Sequence, residues 1–328
     1  MTRLDLERHQ VAVYALAIAA GLAAGRVWPA ISPVFEALLW PALVVLLFAT
    51  FVQMPLLHLR EAVADRRFVG AVLAGNFVAV PLALWAVTPW LPADPALRLG
   101  IWLVLLVPCT DWFITFSQLG GGHAPRAAAV TPLNLLLQLA LLPAYLWWLG
   151  GRGAAGEGAA AVQAVLTPAV ALPALAIVTL PLAAAAAIER WIEADPARAR
   201  WRDHAGWAPV PLLGLVVLLI AGAQAGAVRD ALPQLASVVP VFVGYLVLAA
   251  WLARALARAW RLPVEQARTL AFSLGTRNSF VVLPLALALP AGWELVALVV
   301  VVQSVVELLG MLVYLAWLPR WGRVHPPG

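Results

Sequence analysis

Apolar residues fill whole stretches of this chain, and the polar residues gather in short gaps between them. Stretches bounded by charge, Gly or Pro run at about 10–28, 34–55, 68–90, 97–119 and 125–149. A second set runs at about 162–188, 206–225, 234–257, 265–289 and 294–318. A helix needs roughly 20 apolar residues to cross the hydrocarbon of a bilayer. The pattern therefore predicts an all-α integral membrane protein with ten transmembrane helices.

The placement of Arg tests that count. With the N-terminus in the cytoplasm, the inside segments hold Arg3, Arg8, Arg60, Arg66, Arg67, Arg126, Arg190, Arg198, Arg200, Arg202, Arg254, Arg258, Arg261, Arg268, Arg320 and Arg323. The outside segments hold only Arg26, Arg98, Arg152 and Arg229, and Arg277 falls inside a span. This asymmetry follows the positive-inside rule, and a miscount by one span would scramble it. Both termini are therefore expected in the cytoplasm, and the protein in the plasma (inner) membrane as a multi-pass chain. Trp28, Trp90, Trp147, Trp148, Trp207, Trp293 and Trp317 sit near span ends, as interfacial belts require.

Ten spans divide into a first five-helix repeat over 1–149, a linker over 150–161 containing the Gly-rich run GGRGAAGEG, and a second repeat over 162–328. An odd number of spans per half makes the second half enter from the opposite side. Related halves would then form an inverted repeat, a plan used by secondary transporters. Thr110 and Thr276 lie 166 apart, as do Asp111 and Arg277, and Gln138 and Ser304. The polar interruptions thus fall in corresponding spans.

Composition agrees. The chain is 64% hydrophobic and 11% charged, against about 25% charged in soluble domains, so lipid must cover much of its surface. The basic residues are all Arg and sit in short loops, where they read as topology signals rather than as a nucleic-acid surface. Cys109 is the single cysteine, which excludes an intrachain disulfide and a multi-thiolate metal cage. No HExxH, CxxC or P-loop lysine motif is present, so neither a metalloprotease nor an ATP-driven pump is indicated. No enzyme activity, cofactor or metal is expected.

The informative residues are ionisable groups deep in spans: Asp111, Arg277 and Glu307. Each costs about 2.5–3.5 kcal/mol to insert, so they are expected to pair or to line a wet cavity. A structural ion pair holding two helices is the plain alternative. Pro108 precedes Cys109-Thr110-Asp111 in the fourth span, and Gly275 precedes Thr276-Arg277-Asn278 in the ninth. Both spans look like broken helices, whose freed backbone groups can bind a solute near the midplane. If they cross, Asp111 and Arg277 are placed to pair. Thr131, Asn134 and Gln138 share one face of the fifth span, and Gln303, Ser304 and Glu307 one face of the tenth. These stripes are expected to flank the broken helices, with interhelical hydrogen-bond glue as the alternative role.

The run Leu106-Val-Pro-Cys-Thr110 in the fourth of ten spans resembles the Pro-Cys-Thr signature of the arsenite permeases, a branch of the bile acid/sodium symporter superfamily. Glu307 resembles their intramembrane glutamate. The resemblance implies inverted five-helix repeats with broken, crossing fourth and ninth helices. With the intramembrane polar residues read above, it gives an expected substrate site at Cys109, Thr110, Asp111, Arg277, Asn278 and Glu307, with Asn134, Gln138, Thr276, Gln303 and Ser304 in support. There are departures. Asp111 stands where those permeases usually have a small residue. In the ninth span the sodium-coupled branch shows an acid and a Gln where this chain has Ser273 and Arg277. Sodium needs oxygen ligands and negative charge, and a guanidinium supplies neither. The expected activity is therefore proton-coupled arsenite efflux by alternating access, with Glu307 or Asp111 exchanging the proton and Cys109 as the soft ligand. Its partners would be a small inorganic or organic solute, protons and the lipid bilayer, with no nucleic acid. The alternatives are a sodium- or proton-coupled organic-anion (bile-acid-type) transporter, in which Arg277 receives a carboxylate, and a non-transporting membrane sensor.

Overall fold

The computed structural model describes residues 9–54, 56, 65–151 and 157–321. Arg3, Arg8, Arg60, Arg152 and Arg323 lie outside the described residues, as does the middle of the Gly-rich link, and the side chain of Arg229 is likewise not described. Among the described residues the regular structure is helical, with no strand. Six helical stretches among the described residues are long and apolar enough to cross a membrane: Pro29–Phe51, Arg66–Trp90, Ala124–Gly150, Pro168–Glu193, Ala231–Ala259 and Glu294–Arg320. Ala12–Val27, Pro95–Leu106 and Pro209–Ala223 are shorter apolar helices.

The helices are α1 (Gln10–Val27), α2 (Ser32–Phe51), α3 (Arg66–Ala74), a π-helical turn at Gly75–Ala79, and α4 (Val80–Val87). Then come α5 (Pro95–Leu106), α6 (Trp112–Leu119), α7 (Ala124–Gly150), α8 (Glu157–Leu166), α9 (Pro168–Glu193) and α10 (Ala199–Ala205). The last are α11 (Pro209–Ala223), α12 (Ala225–Ala259), α13 (Val264–Gly275), α14 (Ser279–Leu287) and α15 (Glu294–Trp317). Local chemistry sets several of these ends. Asp65 caps α3 by accepting the Phe68 N–H at 3.1 Å, and Asp94 caps α5 by accepting from Ala96 and Leu97, with Pro95 at the first position.

Two boundaries differ from the hydropathy reading. The helix expected from about 162 begins at Glu157 and breaks at Thr167, which is extended (φ −58°, ψ 129°) because Pro168 follows it. The helix expected from about 234 begins at Ala225, because Pro233 lies inside a helix that its neighbours continue.

The helices pack in two groups. In one, α11 lies along α1 and α2, and α2 packs on α9. Contact between α1 and α11 is backbone to backbone: a Cβ at Gly21 would collide with the Leu218 carbonyl oxygen, and one at Gly25 with that of Gly222. Small residues are what allow such approach between apolar helices. In the other group, α12 packs on α13 and α15, α15 on α5, and α6 on α7 and α13.

Polar contacts gather the segments of Asp65, Arg126, Arg268 and Pro319–Trp321 at one end of the molecule. Asp65, at the start of α3, pairs with Arg126 of α7 and accepts from Gln266 of α13 at 3.0 Å. Arg268 donates to the carbonyls of Gly121, Pro319 and Trp321. At the opposite end Ser32 donates to the Ala223 carbonyl at 2.5 Å.

Candidate functional site at the helix crossing

Two helices stop in the middle of the molecule and restart. The first, α5, ends at Leu106 because Pro108 brings no N–H and forces Val107 out of the helical region (φ −109°, ψ 101°). The second, α13, ends at Gly275 and passes into extended Thr276 (φ −104°, ψ 144°). Gly275 is needed there, since a Cβ would stand 2.7 Å from the Tyr314 ring. The two extended runs pair antiparallel at Pro108 and Arg277. Cys109 N–H donates to the Thr276 carbonyl at 3.2 Å, and Asn278 N–H to the Val107 carbonyl at 2.8 Å. Backbone groups freed by both breaks thus satisfy one another. The side chains repeat the link, with Asn278 Nδ2 donating to Thr110 Oγ1 at 2.8 Å.

The crossing leaves the C-terminal ends of α5 and α13 facing each other, and each end carries unpaired carbonyls and negative partial charge. Arg277 answers both. Its Nη1 donates to the Leu105 carbonyl at 3.2 Å. Its Nη2 donates to the carbonyls of Ser273 (3.2 Å) and Leu274 (2.6 Å), and to Asn76 Oδ1 at 2.9 Å. Its Cζ lies 5.2 Å from the centre of the Tyr245 ring, a cation–π contact. The side chain is 2% exposed.

The anticipated pairing of Asp111 with Arg277 is thereby corrected. The spans cross, but the guanidinium is drawn to four oxygens on the α3–α5–α13 side, and Asp111 is not among its partners. The acid linked to Arg277 is Glu307, which accepts the Arg277 backbone N–H at 2.8 Å and Gln303 Nε2 at 2.6 Å. Glu307 is 1% exposed, and its second oxygen, Oε1, has no hydrogen-bond partner. A further chain runs from Ser304 Oγ to Ser279 Oγ at 2.8 Å, and from Ser279 Oγ to Gln303 Oε1 at 3.1 Å.

Cys109 is buried within the crossing, and its Sγ accepts the Asp111 N–H at 3.5 Å. Asp111 is half-buried and stands at the N-cap of α6. Thr276 Oγ1 turns back to the Phe272 carbonyl, a local bond that takes its hydroxyl out of the cluster. On α7, Thr131 does the same with Ala127. Asn134 and Gln138 are fully buried, and neither amide has a hydrogen-bond partner among the described residues.

Three members of the cluster were not anticipated. Asn76 bridges Arg277 and Ser273, donating to Ser273 Oγ at 3.1 Å. It stands in the π-helical turn, the kind of bulge that re-aims a side chain at functional sites. Its signal was a lone Asn beside Gly75 in an otherwise apolar span. Tyr245 underlies Arg277 and donates to the Leu274 carbonyl at 2.6 Å. Ser279 joins the α15 stripe to α14.

The model of the Sodium Bile acid symporter family matches residues 40–228 of the chain. No curated protein matches it.

Proposed function

The chain belongs to the sodium bile acid symporter family, and on that premise we propose that it is a ten-helix secondary transporter built from two inverted repeats and coupled to protons rather than sodium. The observation that carries the coupling is Arg277: a positive charge tethered to the protein sits among Leu105, Ser273, Leu274 and Asn76 oxygens, at the meeting of two helix C-termini. A seat of that chemistry suits a cation, and here it is filled permanently. Coupling then falls to a carboxylate that can change its charge. Glu307 qualifies through its unpaired Oε1 beside the crossing, and Asp111 is the second candidate.

The inverted plan is supported by packing between spans it relates. The contact of α1 with α11 has its counterpart in that of α2 with α9, and the contact of α6 with α7 in that of α14 with α15. The segments bearing Arg126, Arg268 and Arg320 come together at one end, which the positive-inside rule makes the cytoplasmic face.

For substrate we propose arsenite, moved outward by alternating access. As(OH)3 is small, mostly neutral and drawn to sulfur. Cys109 supplies one thiol, which exchanges one As–O bond for one As–S bond with release of water. One thiol recognises without trapping, whereas three would hold too tightly for turnover. The organic-anion reading loses support because the Arg277 guanidinium is already engaged by four acceptors.

The test is uptake into everted membrane vesicles with an acid-inside gradient. Arsenite accumulates without sodium, and Cys109→Ser and Glu307→Gln each abolish it. Accumulation that requires sodium and ignores pH overturns the coupling. A Cys109→Ser variant with full activity overturns the substrate.

A further inference from the structure

Away from the crossing, α12 and α15 flank an apolar groove of about 730 Å³. Val243, Val247, Trp251, Leu309 and Val313 line it, and it faces outward: Val247 is 68% exposed and Val313 63%. In a bilayer any acyl chain would fill such a groove, so by itself it selects nothing. Selectivity comes from what stands at its end. Arg254 lines the groove and also a second cavity of about 230 Å³, together with Arg258, Arg261 and Trp321.

Arg254 and Arg258 lie four apart on one side of the end of α12, and Arg261 stands two residues past that end, lining the same cavity. No carboxylate among the described residues pairs with any of the three. The Arg254 guanidinium instead lies over the Trp321 ring, 5.6 Å from its centre. Trp321 in turn packs edge-on against Trp317, at the mouth of the groove. Arg261 adopts φ 52°, a conformation that favours glycine, and this turns the chain so that its side chain borders the same cavity. Unpaired guanidinium groups above an apolar groove, at a rim of Trp, match an anionic phospholipid: phosphate among the arginines, chain along the groove.

We propose that the α12–α15 groove and the Arg254/Arg258/Arg261 cavity together bind one anionic phospholipid of the cytoplasmic leaflet. The site depends on membrane embedding and not on the transported substrate, so it stands or falls separately from the transport reading. A second copy of the chain fits the groove less well. A two-fold contact there would bring two clusters of three arginines together, and like charges oppose association.

Native mass spectrometry of the detergent-solubilised full chain tests this, with phosphatidylglycerol, phosphatidylcholine of the same chains, and glycerol phosphate as probes. The expected result is one phosphatidylglycerol bound at least about tenfold more tightly than phosphatidylcholine, and glycerol phosphate bound far more weakly than either lipid. Arg254→Gln/Arg258→Gln/Arg261→Gln removes the preference, by on the order of a hundredfold in affinity for phosphatidylglycerol. Val313→Trp fills the groove and weakens both lipids alike. If the triple variant fails to elute as a single species, Arg258→Gln alone carries the charge test with a loss of about fivefold. Equal binding of the two lipids overturns the proposal. So does glycerol phosphate bound as tightly as the lipid, which makes the cavity a plain anion site. A stable dimer that excludes phosphatidylglycerol overturns it as well.

Discussion

Replacing Arg277 by Gln is the most direct perturbation of the crossing. The guanidinium makes four hydrogen bonds, to Leu105, Ser273 and Leu274 carbonyls and to Asn76 Oδ1. Hydrogen bonds to charged groups are worth about 1.5–3 kcal/mol each, so independent bonds would sum to roughly 6–12 kcal/mol. They are not independent, because Nη2 serves three of the acceptors. The Leu274 carbonyl also keeps its bond from Tyr245, and Asn76 keeps its bond to Ser273. The acceptors left exposed to loss are the Leu105 and Ser273 carbonyls, and Glu307 loses the nearby positive charge while keeping the Arg277 N–H and Gln303. The expected cost is about 3–5 kcal/mol, the range for removing one partner of a buried charge pair. Cys109 offers the assay, because it is the single thiol and it is buried. A thiol-reactive dye will report unfolding as the sulfur becomes accessible, and the midpoint for Arg277→Gln should fall by roughly 10 °C. Glu307→Gln/Arg277→Gln should be less destabilised than the two single losses summed, by about 1 kcal/mol or more. A melting curve within 2 °C of wild type, taken as roughly the shift of 1 kcal/mol, or strict additivity in that cycle, refutes the account of Arg277 as the charge that holds both helix ends.

Three further outcomes follow from the same geometry. Gly275→Val should destabilise by about 2–3 kcal/mol in the same thiol assay, since its Cβ meets the Tyr314 ring at 2.7 Å and overpacking is costly; an unchanged midpoint would mean that α13 and α15 yield there. Asn134→Leu and Gln138→Leu remove buried amides that have no partner, so each should raise stability by about 1–3 kcal/mol while lowering arsenite transport; loss of stability would show that the amides hold the fold. Asp65→Ala takes away the α3 cap and the contacts to Arg126 and Gln266, and should cost about 1–2 kcal/mol, read as a lower unfolding midpoint.

What the sequence made legible was what hydropathy and backbone chemistry control. The apolar stretches marked the helices, and Pro108 and Gly275 marked where α5 and α13 stop, because a missing N–H and a missing Cβ act locally. The partner of Arg277 was not legible. An offset of 166 would make Asp111 and Arg277 equivalent positions under the proposed inversion, and equivalence by symmetry is a different thing from contact. Three of the four oxygens that hold the guanidinium are main-chain carbonyls, of Leu105, Ser273 and Leu274, which have no residue type to betray them, and the fourth is the amide oxygen of Asn76. Asn76 itself was readable, as a lone amide beside Gly75, yet only the π-helical turn tells which way it faces. The start of α12 at Ala225 was hidden by Pro233, since a proline inside an apolar helix reads as a boundary until neighbouring helices are known to supply the missing support.

Charge counting at the crossing narrows the kind of solute that the proposed cycle can carry. Arg277 contributes one fixed positive charge and Glu307 one variable negative charge, so the pair is neutral when Glu307 is ionised and carries a single positive charge when it is protonated. A neutral solute such as As(OH)3 leaves that count unchanged, and proton exchange at Glu307, with Asp111 as the second candidate, then distinguishes the loaded and returning states. An organic anion would have to enter beside Glu307 and Asp111 with the Arg277 guanidinium already committed to helix-end carbonyls, so its charge would be desolvated without a free cation to meet it. Moving Arg277 out to receive the anion would uncover the ends of α5 and α13 at the same moment. The tethered cation therefore bears on both halves of the cycle: it fills the seat that a mobile cation would occupy, and it is unavailable to a mobile anion.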